Sequence, residues 1–347
     1  MRRRVPPSAP RILAVTLGDP AGIGPEIVLR ALAAGPPAGS AATLLIGERA
    51  ALEAARSLVP AFPWERLHEV AAPDRARLLA PGGLALLDPV GDRRAIRFGE
   101  SGAADARAAV SALDAAIDLA RRGVVDALVT APVAKGSIAR HAVPGFVGHT
   151  DYLAAACGLE RYGRDYLMAF LAPELQVALL SVHLPLVRAI ERVTLDAVVE
   201  ALACLDRHAG GRIALAGLNP HAGEGGLLGD EETRTLAPAV AAARGRGIDV
   251  HGPESADSLF ARARRGEFDW VLALYHDQGL IPVKTASFGS ATNWTLGLPF
   301  LRTSVDHGTA FPLAGTGRAD AAPMEAVLAT TVELLAGRLP RRAAGAA

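Results

Sequence analysis

Two cysteines in 347 residues, Cys157 and Cys204, are too few for a disulfide framework and are not spaced as a CxxC metal or redox pair. Both read as buried thiols. Lysine is equally scarce: of 36 basic side chains only Lys135 and Lys284 are lysine, and the rest are arginine. A chain that uses arginine for generic positive charge but keeps lysine twice, each time inside a Gly/Pro-rich motif, points to two places that need a compact ammonium or a proton able to leave. Net charge is also missing, with 36 basic against 36 acidic residues, so there is no electrostatic footprint for nucleic acid or an anionic membrane surface. A small-molecule partner fits better. No apolar run is long enough to cross a bilayer before Gly, Pro or charge interrupts it. Prolines follow Arg2–Arg4 where a signal peptide would carry its apolar core, so the cytoplasm is the expected location.

What is present is a large apolar fraction, 50% of residues, in a chain long enough for two domains. Residues 11–17 (RILAVTL) read as a strand that ends at GDPAGIGPE, a glycine turn entering a helix. Gly22 and Gly24 permit the turn, Pro25 suits a first helical turn, and the helix start suits a phosphate or cofactor edge, although the spacing is not GxGxxG. Further strands are expected at 41–46 and 124–130, and helices at 48–58 and 99–122. This alternation predicts an α/β layer structure with a largely parallel sheet.

Three apolar strands end on a histidine: 175–182 runs into His183, 213–218 into His221, and 270–275 into His276. Three imidazoles delivered by three strand ends are what a metal site with open positions for substrate requires. Each alone would be an ordinary polar loop residue. Asp257 and Asp277 are candidate acceptors that orient such imidazoles. His68, His141, His208 and His251 lack the pattern. The segment after the 124–130 strand carries Lys135, His149, Thr150 and Asp151, with Thr150 equally suited to cap a helix beginning at Asp151. The stretch 275–320 mixes His276, Asp277, Lys284, Asn293 and Arg302 among glycines and prolines, as loops that present function do.

Taken together, GDPAGIGPE, TAPVAKG, VGHTDYLA, SVHLPL, LNPHAGEGG, YHDQGLIPVK and NWTLGLPFLRTSVDHGTAFPLAGTGRAD resemble the 4-hydroxythreonine-4-phosphate dehydrogenase family of pyridoxal phosphate biosynthesis over most of the chain. The resemblance implies a two-domain isocitrate/isopropylmalate dehydrogenase-like α/β fold with an active-site cleft between domains. It implies a homodimer whose interface completes each site. The expected domains are 1–128 with 286–347 on the cofactor side, and 129–285 carrying the metal ligands and the dimer interface. By resemblance His183, His221 and His276 hold a divalent metal, zinc first and magnesium or cobalt as alternatives, with ligands drawn from both subunits. His149, Thr150, Lys284, Asn293 and Arg302 match substrate-binding positions, and Asp257 and Asp277 match carboxylates that maintain the site. The loop from His307 through Gly308, Thr309, Ala310 and Gly315 to Gly317 is similar to the adenosine-binding loop of the relatives and pairs with the Gly22–Gly24 turn, for NAD or NADP. Trp294 departs from the smaller aliphatic residue common there, which would narrow the pocket.

The implied reaction oxidises 4-phosphooxy-L-threonine to 2-amino-3-oxo-4-(phosphooxy)butanoate, a β-keto acid that loses carbon dioxide to give 3-amino-2-oxopropyl phosphate. Arg302 and Lys284 would neutralise the phosphate, and lysine scarcity makes Lys135 the candidate for removing the hydroxyl proton. Competing readings are a dehydrogenase of 4-phosphoerythronate, 4-phosphothreonate or a dihydrodiol, a metal hydrolase or aldolase, and a ligand-binding protein. A metal hydrolase or aldolase leaves the HGTAFPLAGTG loop without a purpose, and a periplasmic ligand-binding protein would need an export signal.

Overall fold

The computed structural model describes residues 10–79, 83–287 and 289–339; the arginine-rich start, 1–9, lies outside them. Twelve strands occur among the described residues: β1 (Ile12–Thr16), β2 (Ala42–Ile46), β3 (Leu67–Glu69), β4 (Leu84–Leu87), β5 (Ala127–Thr130), β6 (Leu167–Leu171), β7 (Gln176–Leu179), β8 (Ile213–Ala216), β9 (Val250–Glu254), β10 (Trp270–Ala273), β11 (Thr292–Leu296) and β12 (Leu301–Ser304). The chain forms two compact units, one up to Cys157 resuming at Pro299–Leu339, the other Gly158–Leu298. Among the described residues no helix is long and apolar enough to cross a membrane.

The first unit is a parallel sheet ordered β3-β4-β2-β1-β5-β12. Every residue of β1, β2 and β5 is buried, as parallel strands covered on both faces must be. The helix Ala103–Arg121 turns a stripe including Ala106, Ala109, Leu113 and Ala116 inward at helical spacing. Its start is held by Asp105, whose carboxylate accepts the Gly102 N–H at 2.8 Å. The helix Gly24–Ala31 carries Pro25 in its first turn, as expected. Gly24 has a steric reason to lack a side chain: a Cβ there would sit 2.2 Å from the Leu17 carbonyl oxygen.

The second unit is a sheet ordered β11-β6-β7-β10-β8-β9. Strand pairing in the chain is largely parallel, as expected, and the exception lies here: β6 pairs antiparallel with both β7 and β11. Only β7, β10, β8 and β9 run parallel. Its core gathers Phe170, Val177, Leu179, Val271, Leu280 and Val283.

The division falls later in the chain than the expected crossovers at 128/129 and 285/286. The helices Lys135–His141 and His149–Ala156 belong with the first unit because Ile138 and Phe146 pack on Ala106 and Ala109, and the Tyr152 hydroxyl donates to Asp114 at 2.6 Å. β11 belongs with the second because its ladder is with β6. Cys204 is buried, and burial pushes its thiol up to about 12; Cys157 is only half-buried.

Candidate active-site groups in the two units

In the first unit the parallel strands β5 and β12 lie side by side, with Arg302 paired in register with Leu128 and Ser304 with Thr130. The Arg302 side chain is 2% exposed and its Nη2 donates to the Thr130 hydroxyl at 2.6 Å. Burial pulls its guanidinium down to about 9, which still leaves it cationic at neutral pH. Beside it stands His149, whose imidazole is held well below 6.5 by desolvation first and then by the charges of Arg302 and Lys135. Lys135 lies along Gly148: a Cβ on that glycine would be 3.5 Å from Nζ. The sequence positions 135, 149 and 302 therefore come together as two cations around a neutral imidazole. Thr150 is buried in the first turn of the helix His149–Ala156. That helix starts earlier than expected, with Gly148 before it, so Thr150 is no cap.

The two segments expected to hold a dinucleotide also meet in this unit. The Ile23 N–H donates to the Thr309 carbonyl at 3.0 Å, and a Cβ on Gly22 would be 3.1 Å from the Thr309 Cβ. Gly315 packs on Phe98, where a Cβ would come within 2.7 Å of the ring. The Gly317 carbonyl accepts from Arg30 Nη2 at 2.7 Å, and Arg30 is paired with the buried Glu26. Ala310 is left-handed at φ 43°, which turns the chain from exposed His307 and Gly308 into the short helical turn Phe311–Leu313. Gly22, Thr309 and their neighbours thus form one surface, while Gly24 and Gly315 are explained by close packing alone. Asp19 carries no sequence signal that sets it apart. It is fully buried, accepts from the Ser101 hydroxyl at 2.6 Å and the Ala21 N–H at 2.9 Å, and so fixes the start of the glycine turn.

In the second unit β7, β10 and β8 are parallel neighbours, so the backbones leading to His183, His276 and His221 leave one edge of the sheet. The rings of His183 and His276 lie 5.6 Å apart, centroid to centroid. His276 Nδ1 is 2.7 Å from the Asp277 carboxylate, which orients the ring with Nε2 outward. His221 does not close the set: among the described residues no three His, Cys, Asp or Glu side chains gather into a group able to hold a metal. The charge near His221 is Asp257, whose carboxyl is held below its usual range by the Ser255 hydroxyl first, with His221 contributing. Asp257, Asp277, Tyr275, Phe260 and Ile281 line one cavity of about 600 Å³.

The stretch 275–320 is less loop-like than its composition suggested. His276–Ser287 is a helix in spite of Gly279 and Pro282. Gly279 lets it lie close on the sheet, since a Cβ there would be 2.6 Å from Leu179 Cδ2. Lys284 is exposed on that helix, two turns beyond Asp277 and on the same side. Asn293 Oδ1 is buried without a hydrogen-bond partner among the described residues. Trp294, one residue on, points to the opposite face of β11 and is 3% exposed against Trp270, ring centroids 6.3 Å apart. The expected narrowing of a pocket by Trp294 is therefore replaced by a packing role.

Residues 40–331 match the family model for the pyridoxal phosphate biosynthetic protein PdxA. The chain belongs to the PdxA family. It is 43% identical to a 4-hydroxythreonine-4-phosphate dehydrogenase of Acidithiobacillus ferrooxidans, covering 97% of this chain and 98% of that one. It is 39% identical to the D-threonate 4-phosphate dehydrogenase of Salmonella typhimurium, over 93% and 99%. The crystal structure of a 4-hydroxythreonine-4-phosphate dehydrogenase from Klebsiella pneumoniae superposes with a TM-score of 0.82 at 36% identity, covering 94% of this chain and 99% of that one.

Proposed function

We propose that this PdxA-family chain is a nicotinamide-dependent dehydrogenase that oxidises the secondary alcohol of 4-phosphooxy-L-threonine, whose 3-oxo product then loses carbon dioxide. The observation that carries the reading is the cluster of Arg302 and Lys135 around a neutral His149 in the first unit. Cations held next to a water-poor imidazole are suited to a dianion such as a phosphate monoester. Arg302 offers a planar fork to two phosphate oxygens, and His149 and the Thr150 hydroxyl supply uncharged hydrogen bonds. Lys284, exposed on its helix in the second unit, is a further candidate cation for an anionic group of the substrate. Lys135 is the candidate base for the hydroxyl proton, a role it takes only after its own ammonium proton has left, and Asn293 Oδ1, an acceptor without a donor of its own, suits the substrate ammonium.

Two imidazoles of the second unit, His276 oriented by Asp277 and His183 standing against it, supply part of a donor set for a divalent metal. His183, His276 and His221 would hold it. When bound, the metal would supply a fixed charge that lowers the pKa of the substrate hydroxyl, and NAD or NADP, seated by the Gly22 turn and the Thr309 loop, would accept the hydride. A second copy of the chain completes the ligand set. Exposed apolar side chains follow both ligand candidates: Leu186 and Val187 are 55% and 69% exposed beyond His183, and Leu227 is 80% exposed beyond His221. Apolar surface of this kind beside polar groups suits a self-association face. Val187→Asp should give monomers in sedimentation and abolish turnover together; an active monomer sinks the shared site.

A second reading is favoured by the Salmonella relative at 39% identity, named for D-threonate 4-phosphate. That substrate has no ammonium for Asn293 to accept. Appearance of reduced nicotinamide with each substrate, with a divalent metal and each cofactor, separates the two. Activity on neither defeats the proposal.

A further inference from the structure

We infer that Gln278 and Glu232 are positioning residues, a side-chain brace that fixes the His221 and His276 strand ends against each other. The inference rests on the reading of those imidazoles as metal ligands. Ladder pairing between β10 and β8 is last recorded at Leu272 and Leu215, and beyond it each backbone must be held by something else. Gln278 spans the gap. Its Oε1 accepts the Leu274 N–H at 2.7 Å and its Nε2 donates to the Gly217 carbonyl at 2.7 Å. One amide thus satisfies a donor on the strand end before His276 and an acceptor on the strand end before His221, which fixes both the gap and its own orientation. On the other side the Ser181 hydroxyl donates to the Leu274 carbonyl at 2.9 Å, tying in the approach to His183.

Glu232 acts one step further along. Its carboxylate, 3% exposed, accepts the N–H groups of Leu218 and Asn219 through Oε1, each at 2.7 Å, and the Asn219 amide through Oε2 at 2.9 Å. The backbone released from that grip becomes left-handed for five residues: φ is 53° at His221, 50° at Ala222, 77° at Gly223, 44° at Glu224 and 66° at Gly225. Three of the five carry a Cβ, and such a conformation persists only where the surroundings determine it. Gly223 marks how closely the turn is seated, for a Cβ there would be 2.8 Å from Glu232 Oε2. The direction from which His221 is presented is therefore set by Glu232, and its spacing from the His276 strand end by Gln278. No residue of the brace is itself a ligand, which is the arrangement by which outer groups tune a metal site.

The test uses cobalt(II) as the probe with the full-length protein. Affinity by chelator competition, the visible spectrum of bound cobalt and thermal melts are measured for the wild type, Gln278→Met, Gln278→Glu, Glu232→Gln and His276→Ala. Gln278→Met keeps the side-chain length and removes both hydrogen bonds. Gln278→Glu keeps the acceptor for Leu274 and replaces the donor to Gly217 by a carboxylate oxygen that repels that carbonyl, and it carries the test should Gln278→Met not fold. The folded Gln278 and Glu232 variants should bind cobalt about 10–100-fold more weakly with an altered spectrum, while KM for the nicotinamide cofactor is unchanged. Wild-type affinity and spectrum in those variants, with cobalt lost only in His276→Ala, overturns the brace and leaves the metal reading standing. Equal binding by the wild type and His276→Ala overturns the metal reading and the brace with it.

Discussion

Acid should expose the cationic cluster of the first unit without any ligand present. Desolvation, then Arg302 and Lys135, keep the His149 imidazole from taking a proton in the folded chain, whereas in the unfolded chain it titrates near its ordinary 6.5. Between the depressed folded value and 6.5 the unfolded state binds more protons, so stability is fully present above that range and is lost as pH falls through it. The slope approaches about 1.4 kcal/mol per pH unit for one group. Below 6.5 this single side chain therefore costs stability with each step down in pH until its folded value is reached. His149→Gln keeps a neutral polar side chain and removes the titration. Urea unfolding of both proteins at about pH 7.5, 6 and 5 then isolates the term, because the other histidines cancel in the difference. The advantage of wild type over variant should shrink as pH falls across that range, and inorganic phosphate should reduce the shrinkage by neutralising Arg302 and Lys135. Parallel curves for the two proteins, with or without phosphate, would refute the placement of a neutral imidazole between two cations.

Other substitutions probe the remaining assignments. Lys135→Arg keeps the charge and removes the amine that can serve as base, so kcat should fall about 100-fold or more with inorganic phosphate still bound; unchanged turnover removes Lys135 from the proton transfer. Arg94→Met leaves the carboxylates of Glu48 and Asp105 buried, both 2.7 Å from Nη2, and should cost about 3–5 kcal/mol in denaturant unfolding. Trp294→Leu should lose roughly 2–4 kcal/mol of stability by opening space against Trp270 while leaving KM for the substrate unchanged, and a raised or lowered KM at full stability would return Trp294 to the pocket.

Much of the first unit could be read from the sequence because its signals are local. The run 11–17, the glycine turn and Pro25 specify strand, turn and helix within about 20 residues, and β1 with the helix Gly24–Ala31 follow them closely. Where the reading failed, a distant neighbour decided the outcome. Gly279 and Pro282 look like loop residues until Leu179 is placed under Gly279, when the glycine becomes the reason a helix can lie so close. Trp294 looks like a pocket residue until the pleat of β11 turns it onto Trp270. The antiparallel pairing of β6 had no turn signal of the tight hairpin kind, since Ala172–Leu175 contains neither Asn-Gly nor Asp-Gly.

The three histidines mark the boundary between the two kinds of information. That each ends an apolar strand is a local fact and is visible at 183, 221 and 276 alike. That β10 lies between β7 and β8 depends on two crossovers, and only this order makes His276 the neighbour of both other strand ends. Position along a strand end then decides how far each ring can reach. His276 follows Ala273 by three residues and begins a helix, whereas His221 follows Ala216 by five and sits in a left-handed turn that needs Glu232 to define it. Shortening that path, for example by deleting Leu218, would remove one of the two N–H groups Glu232 accepts and swing His221 from its place. Cobalt affinity should then fall at least as far as in Glu232→Gln. A deletion variant that still bound cobalt as tightly as the wild type would mean that His221 contributes nothing to the metal, however well its strand end is aligned with the others.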